Sequence, residues 1–261
     1  PESRKEKAIN IAKSMGFKIA PLDINTSGTV WEISEDSKTL IQPLTSIKGL
    51  GDAAMEQIIK NRPFNVVEDF LFNEEIVYSK LNKKALDVLT RSQALNKLVD
   101  ERFTGLKHFW SCVAVDRPKH RKHLDANIER YAAEGDFSDE EKIEYLVTLS
   151  GVFPMSLILD EHIQGELDKH CVPPLGEYDP DLGVCWFVPR EIIPKKTKHG
   201  KTYWIVTVVD SSGVSTNIKC WGVNPDRDTL HINHPYMAKL EYDEQWGFST
   251  RSLKHNFKLL G

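Results

Sequence analysis

The sequence predicts an α+β fold, a helical first part followed by a small five-stranded β-barrel. Two observations carry this. Up to about residue 169, apolar residues recur at helical spacing, with Gly and Pro marking the stops. After residue 181 the chain turns to short runs rich in Val, Ile, Trp and Tyr, separated by Gly, Pro, Asn and Asp. Pro173, Pro174 and Gly176 mark a linker between the two textures.

Residues 2–16 read as an amphipathic helix with Ala8, Ile11, Ala12 and Met15 on one face and Gly16 as C-cap. A short extended stretch, 17–19, stops at Pro21, and short strands fit 29–33 and 39–41. Ser46-Ile47-Lys48-Gly49-Leu50-Gly51-Asp52 reads as a sharp turn into a helix over 53–61, with Asp52 as N-cap and Pro63 as the stop. Further helices fit 65–72, 81–91, 95–115, 124–133, 138–149 and 155–169, and Ser138 with Glu141 forms a capping box. The basic cluster at 117–123 reads as a loop or helix start, and residues 81–98 as a degenerate second hairpin. Strands are expected at 184–188, 202–209, 214–221, 237–242 and 251–259, and five in about 80 residues suit a small barrel.

The chain has 261 residues, enough for two cores, with 40% hydrophobic and 28% charged residues. No apolar run approaches the ~20 residues of a membrane span. It begins at Pro1, which reads as a piece of a longer protein. Cys112, Cys171, Cys185 and Cys220 lack zinc-ligand spacing and are too few for a disulfide scaffold. A reduced, cytoplasmic protein with buried or half-buried cysteines is expected. The net charge of −4 hides a pattern. Residues 1–133 hold 21 Lys and Arg against 18 Asp and Glu, residues 134–181 hold 2 against 13, and residues 182–261 hold 11 against 7. Phosphates should be drawn to the two ends and repelled by the acidic middle.

Two motifs can carry binding. In Ile47-Lys48-Gly49-Leu50-Gly51, two glycines around one apolar residue permit a tight turn and close approach of the backbone to a ligand. Amides there and at the next helix start can hold a phosphate without reading sequence, with Lys48, Lys60 and Arg62 adding charge. Ile47 and Leu50 would anchor the bend. The second motif runs from Pro194 to Trp204, with Lys195, Lys196, Lys198 and Lys201 leading into an aromatic strand. Cations along a groove and aromatics for base stacking are what a single-strand site needs. Period-two alternation puts Tyr203 outside with Lys219 and Trp221 of the next strand, and Trp204, Val206 and Val208 inside. A plain tight turn, and aromatics filling a core beside solvated lysines, also fit these runs.

The remaining clusters offer no catalytic or metal site. His120 and His123 sit in a basic loop, His162 and His170 lie among carboxylates, and Asp179 and Asp181 lack a third carboxylate. There is no phosphate-cradling G-x-x-x-x-G-K-[ST] motif.

The residues in order resemble the C-terminal region of bacterial-type C-family replicative DNA polymerases, the polymerase III alpha subunits. The resemblance rests on residues 8–25, including Pro21, Asp23 and Asn25 with nearby Ser27; on Ile47-Lys48-Gly49-Leu50-Gly51-Asp52, Ile58-Ile59, Arg62-Pro63-Phe64 and Glu68-Asp69-Phe70-Leu71; on Leu81-Asn82-Lys83-Lys84-Ala85-Leu86; and on residues 195–210 with Gly213. It covers roughly residues 5–110 and 183–222. It implies the end of a fingers-like region at 1–30, a helix-hairpin-helix DNA-binding domain at 31–125, an acidic helical connector at 126–181 and an OB-fold at 182–261. Lys48, Gly49, Leu50, Gly51, Lys60 and Arg62 would then hold primer–template duplex. Lys195, Lys196, Lys198, Lys201, Tyr203, Lys219 and Trp221 would hold single-stranded template. The parent's palm carboxylates and their Mg2+ would lie upstream, so this chain would bind DNA with no cofactor and no catalytic centre of its own.

Two departures matter. The family's second hairpin carries a Gly-Ala pair, replaced here by Arg91-Ser92-Gln93-Ala94. The family's sliding-clamp peptide begins with Gln and ends in an aromatic; Gln164-Gly165-Glu166-Leu167-Asp168 has the beginning only. A cellular or a phage source fits equally. A free-standing DNA-binding or protein-interaction module is the alternative function. A hydrolase or ligase built from the same parts finds no nucleotidyl-lysine motif here.

Overall fold

The computed structural model describes residues 4–212 and 215–260, with the backbone alone at Lys5, Glu6, Lys7 and Asn10. The chain divides into two compact units, residues 16–153 and residues 1–15 with 154–261. The stretch 126–181 expected as a connector is therefore shared between the units. Among the described residues no helix is long and apolar enough to cross a membrane.

Helix α1, Arg4–Ser14, is grouped with the second unit. Its predicted apolar face is not its buried one. Ile11 and Met15 are exposed and Ile9 is buried, because the buried side is set by packing rather than by the local pattern. Residues 2 and 3 of the predicted helix lie outside the described residues.

The helical unit opens with three short strands, β1 (Lys18–Ala20), β2 (Glu32–Ile33) and β3 (Thr39–Ile41), in the order β1-β3-β2. The helices are α2 (Asp52–Lys60), α3 (Val67–Leu71), α4 (Lys83–Arg91), α5 (Leu106–Trp110), α6 (Arg121–Arg130) and α7 (Asp139–Tyr145). One core joins them, with Leu44, Ile47, Ile58, Phe64, Phe70, Leu86, Leu89, Leu95 and Phe109 among its members. The single helix expected over 95–115 is broken into a 3-10 turn at Asn96–Leu98, then α5, then a π-turn at Ser111–Val115. Gly105 permits the break: a Cβ there would lie 2.6 Å from the Gly135 carbonyl oxygen. Asn82 and Ser138 cap α4 and α7 through their side chains, the latter in the predicted capping box.

A network around Arg102 fixes α3. Its guanidinium donates to both carboxylate oxygens of Glu68, at 2.6 and 3.1 Å, and to Asp100 at 2.7 Å. Those hydrogen bonds hold the Glu68 and Asp100 carboxyls below their ordinary range. A depressed folded-state value means that this stability is present above the unfolded carboxylate range, near pH ~4, and is lost as pH falls through the folded values. Arg102 is about a third exposed, so solvent screening limits the gain. Arg102→Gln should cost about 1–2 kcal/mol at pH 7 in urea unfolding. The gap from wild type should shrink as pH is lowered from about 5 towards 2; a gap unchanged by pH would show that the carboxylates are not the partners that matter.

The second unit holds α8 (Glu161–Lys169), capped by Asp160, a seven-stranded sheet and the short α9 (Leu253–Asn256). The strands are β4 (Val184–Lys196), β5 (Thr202–Val209), β6 (Thr216–Trp221), β7 (Tyr236–Lys239), β8 (Glu241–Asp243), β9 (Gly247–Thr250) and β10 (Phe257–Leu259). Their order is β10-β7-β4-β5-β6-β9-β8, with β6 and β9 parallel. Seven strands replace the expected five. The run 237–242 is interrupted at Leu240, Gly247–Thr250 was not anticipated, and 251–259 is half helix. Val214, the expected start of the third strand, lies outside the described residues, as does Gly213.

Only Leu240 separates β7 from β8, so one bent segment pairs with β4 at one end and with β9 at the other. The sheet curls around a core that includes Cys185, Phe187, Trp204, Val206, Val208, Ile218 and Cys220. Asp210 secures the end of β5, accepting from the amide of Gly176 and from both the amide and the hydroxyl of Ser212. Cys112, Cys185 and Cys220 are buried, and burial pushes each thiol up to about 12. Cys171, expected to be buried or half-buried, is exposed.

Candidate nucleic-acid interface

The bend at 47–51 is built from the inside. Leu44 closes a 3-10 turn, Leu44–Ser46, and Ile47 and Leu50 drop into the core. Ala54 and Ile58 of α2 follow them. This leaves Lys48, Gly49, Gly51, Asp52 and Ala53 exposed along the outer edge. Gly49 sits at φ +91, a left-handed conformation that a side chain would strain. Gly51 is at φ −84, and a Cβ there would meet nothing within 4 Å. Gly51, not Asp52, is the N-cap; Asp52 is the first helical residue and gives no side-chain cap.

Hydrogen bonding singles out this edge. The Lys48 amide is taken by the Leu149 carbonyl at 2.9 Å and the Leu50 amide by Ile47. The amides of Gly49, Gly51, Asp52 and Ala53 have no protein acceptor among the described residues. Four solvated N–H groups at a helix start, with a lysine beside them, form an anion-accepting edge. Lys84 of α4 completes it: its Cε lies 3.7 Å from where a Gly49 Cβ would stand. The sequence reading missed Lys84 as a site residue because it belongs to a different helix.

The bend following α4 behaves otherwise. Gln93 takes the left-handed conformation at φ +65, and the amides of Ser92, Gln93, Ala94 and Asn96 all go to protein carbonyls. It leaves no matching set of amides for a ligand.

Two expected cations separate from the first edge. Lys60 is at the far end of α2, about 12 Å along the helix from Asp52. Arg62 is turned inward, with Nε donating to the Ile24 carbonyl at 2.6 Å and Nη2 to that of Ser27. Asn25 and Phe64 exchange two bonds of 2.8 Å, side-chain amide to carbonyl and backbone amide to side-chain oxygen. Asp23 closes the loop on the amides of Asn25 and Ser27. The Pro21-Leu22-Asp23-Ile24-Asn25 run therefore locks a loop to the end of α2, and Arg62 serves that lock.

On the sheet, register makes the second surface. Lys195 of β4 pairs with Tyr203 of β5, which pairs with Trp221 of β6. Directly opposed residues share a face, so these three form one row. The Tyr203 and Trp221 rings stack at 4.6 Å between centroids and 28° between planes. The next row carries Ile193, Ile205, Lys219 and Ser249. Lys219 Nζ donates to the Trp246 carbonyl at 3.0 Å and sits 5.1 Å from its ring centre. Trp246 is 63% exposed in the turn between β8 and β9. Sequence reasoning overlooked it because that turn was not anticipated.

The predicted lysines do not all join this face. Lys196 pairs with Thr202 and points the other way from Lys195. Lys198 is exposed in the turn between β4 and β5, which Thr197 and Gly200 order through bonds of 2.9 Å. Lys201 lines a cleft with Trp221, Glu241 and Arg251.

The His120 and His123 pair serves local structure. His120 caps α6 by accepting from the His123 amide, and His123 faces Asp116 at 3.5 Å. Among the described residues no group of three or more His, Cys, Asp or Glu could hold a metal ion. The segment considered for clamp binding lies within α8, with Leu167 buried and Gln164 bonded to Asp168 at 2.8 Å.

A bend with outward amides joins the 3-10 turn Leu44–Ser46 to α2, the layout of a helix-hairpin-helix. Residues 16–115 match the family described as helix-hairpin-helix motif. The chain is also similar to DNA polymerase III alpha subunits. That of Helicobacter pylori is 23% identical over 269 residues, covering 91% of this chain and 22% of the relative. The Thermotoga maritima subunit is 26% identical, covering 52% and 16%, and the Pseudomonas aeruginosa subunit 28%, covering 42% and 9%. The chain thus spans less than a quarter of the length of each. The resemblance seen in the sequence is to this subunit, and it extends through both units.

Proposed function

We propose that this chain is the DNA-holding part of a replicative polymerase of the alpha-subunit type. The helix-hairpin-helix unit grips the backbone of the primer–template duplex, and the curled sheet, read as an OB-fold, carries single-stranded template. The observation that carries the reading is the set of unsatisfied amides at Gly49, Gly51, Asp52 and Ala53 flanked by Lys48 and Lys84. They suit a phosphate and read no base. The Lys195–Tyr203–Trp221 row suits the second role, since stacked aromatics beside a lysine accept bases of any sequence. Chemistry would belong to the parent's palm, with its Mg2+, in a bacterial or phage-infected cytoplasm.

Fluorescence anisotropy of the 261-residue chain, with single-stranded and duplex oligonucleotides over a salt series, tests this. Both should bind, with log affinity falling linearly in log salt. Absence of binding at low salt by a folded chain would instead favour a protein-interaction module.

A further inference from the structure

We infer that the duplex-binding surface extends beyond the hairpin onto a second basic face, built from residues 80–84 and 117–122, that takes nucleic-acid phosphates. The inference rests on the duplex-holding role proposed above.

A buried arginine joins the two segments. Arg117 is 4% exposed; its guanidinium lies 3.4 Å from the Tyr78 ring centre and donates to the carbonyls of Tyr78 and Leu81. Lys83 Nζ reaches the Val115 carbonyl at 2.8 Å. These contacts hold two lysine-rich stretches side by side. Lys80, Lys83, Lys84, Lys119, Arg121 and Lys122 are all exposed. Neither stretch contains an acidic residue. The nearest carboxylate in the chain, Asp116, is already engaged by Arg130 at 2.8 Å and faces His123 at 3.5 Å. Lys119, Arg121 and Lys122 form no ion pair among the described residues, and Asp125, one turn beyond Arg121, does not pair with it.

The placement works against stability. Arg121 and Lys122 occupy the first turn of α6, which has no acidic residue, and there cations oppose the helix dipole. Like charges this close repel unless an anion lies between them. Lys84 belongs to both surfaces, flanking Gly49 and following Lys83, so the hairpin edge and the basic face run into one another. A ligand with regularly spaced negative charge, as a duplex backbone has, meets both at once.

The test is the salt dependence of duplex binding by the full chain and three variants: Lys119→Gln/Arg121→Gln/Lys122→Gln, Lys80→Gln/Lys83→Gln, and Gly51→Val. The triple variant should lower the slope of log affinity against log salt by about two to three, and the double variant by about one to two. The side chains changed are exposed, Lys83 alone also bonding the Val115 carbonyl, and circular dichroism with a thermal melt will check that the fold is kept. Wild-type slopes in both charge variants would overturn the inference, and loss of duplex binding in Gly51→Val alone would then leave the hairpin reading standing. Lower slopes in the charge variants beside wild-type binding by Gly51→Val would keep the basic face and remove the hairpin reading.

Discussion

Gly51→Val is expected to lower duplex affinity at least about tenfold, the equivalent of one lost charge-assisted hydrogen bond, while the fold survives. The expectation comes from two measurements at one residue. Its backbone is in ordinary extended conformation, and a Cβ there meets nothing within 4 Å. The protein alone has no evident use for glycine at this position. A phosphate seated on the amides of Gly51, Asp52 and Ala53 would need the space that a branched side chain fills. Gly49 makes a poor probe by comparison. At φ +91 any other residue costs about 1–2 kcal/mol of backbone strain, so Gly49→Ala mixes folding with binding. Unchanged duplex affinity in Gly51→Val, measured by anisotropy at fixed salt, would remove the hairpin from the interface.

Tyr203→Ala/Trp221→Ala should lower single-strand affinity about thirtyfold or more, at about 1–3 kcal/mol per stacked base. Both rings stand on the outer face, so their loss opens no cavity in the core that holds Trp204, Val206 and Val208. Duplex affinity should be unaffected. Trp246→Ala should add a smaller loss, because its ring stands beyond Lys219 in the next row. Equal losses for single strand and duplex would mean that one surface serves both.

Much of this was legible in the sequence, where pattern and chemistry are local. Alternation along 202–209 placed Trp204, Val206 and Val208 inside and Tyr203 outside, as observed, because a strand with one buried face cannot slip by one residue. The Ser138 capping box and the buried anchors Ile47 and Leu50 followed from equally local rules. Long-range contacts were not legible. Arg62 looked like a phosphate ligand until the carbonyls of Ile24 and Ser27 claimed it, and these lie 38 and 35 residues away. Arg117 looked like one more surface cation, yet it is buried against Tyr78. Trp246 sits in the turn that pairs β8 with β9, and no local run announced that hairpin. The buried face of α1 was misread because packing, not the regular stripe, sets which side is covered: Ile9 is buried while Ile11 and Met15 are exposed.

The central claim is that one chain holds duplex and single strand at separate sites. Competition tests it most directly: the chain is saturated with an unlabelled blunt duplex, and a labelled oligothymidine is then titrated by anisotropy at constant ionic strength. The account predicts a single-strand Kd close to that without duplex. Displacement of one ligand by the other, mole for mole, would contradict it.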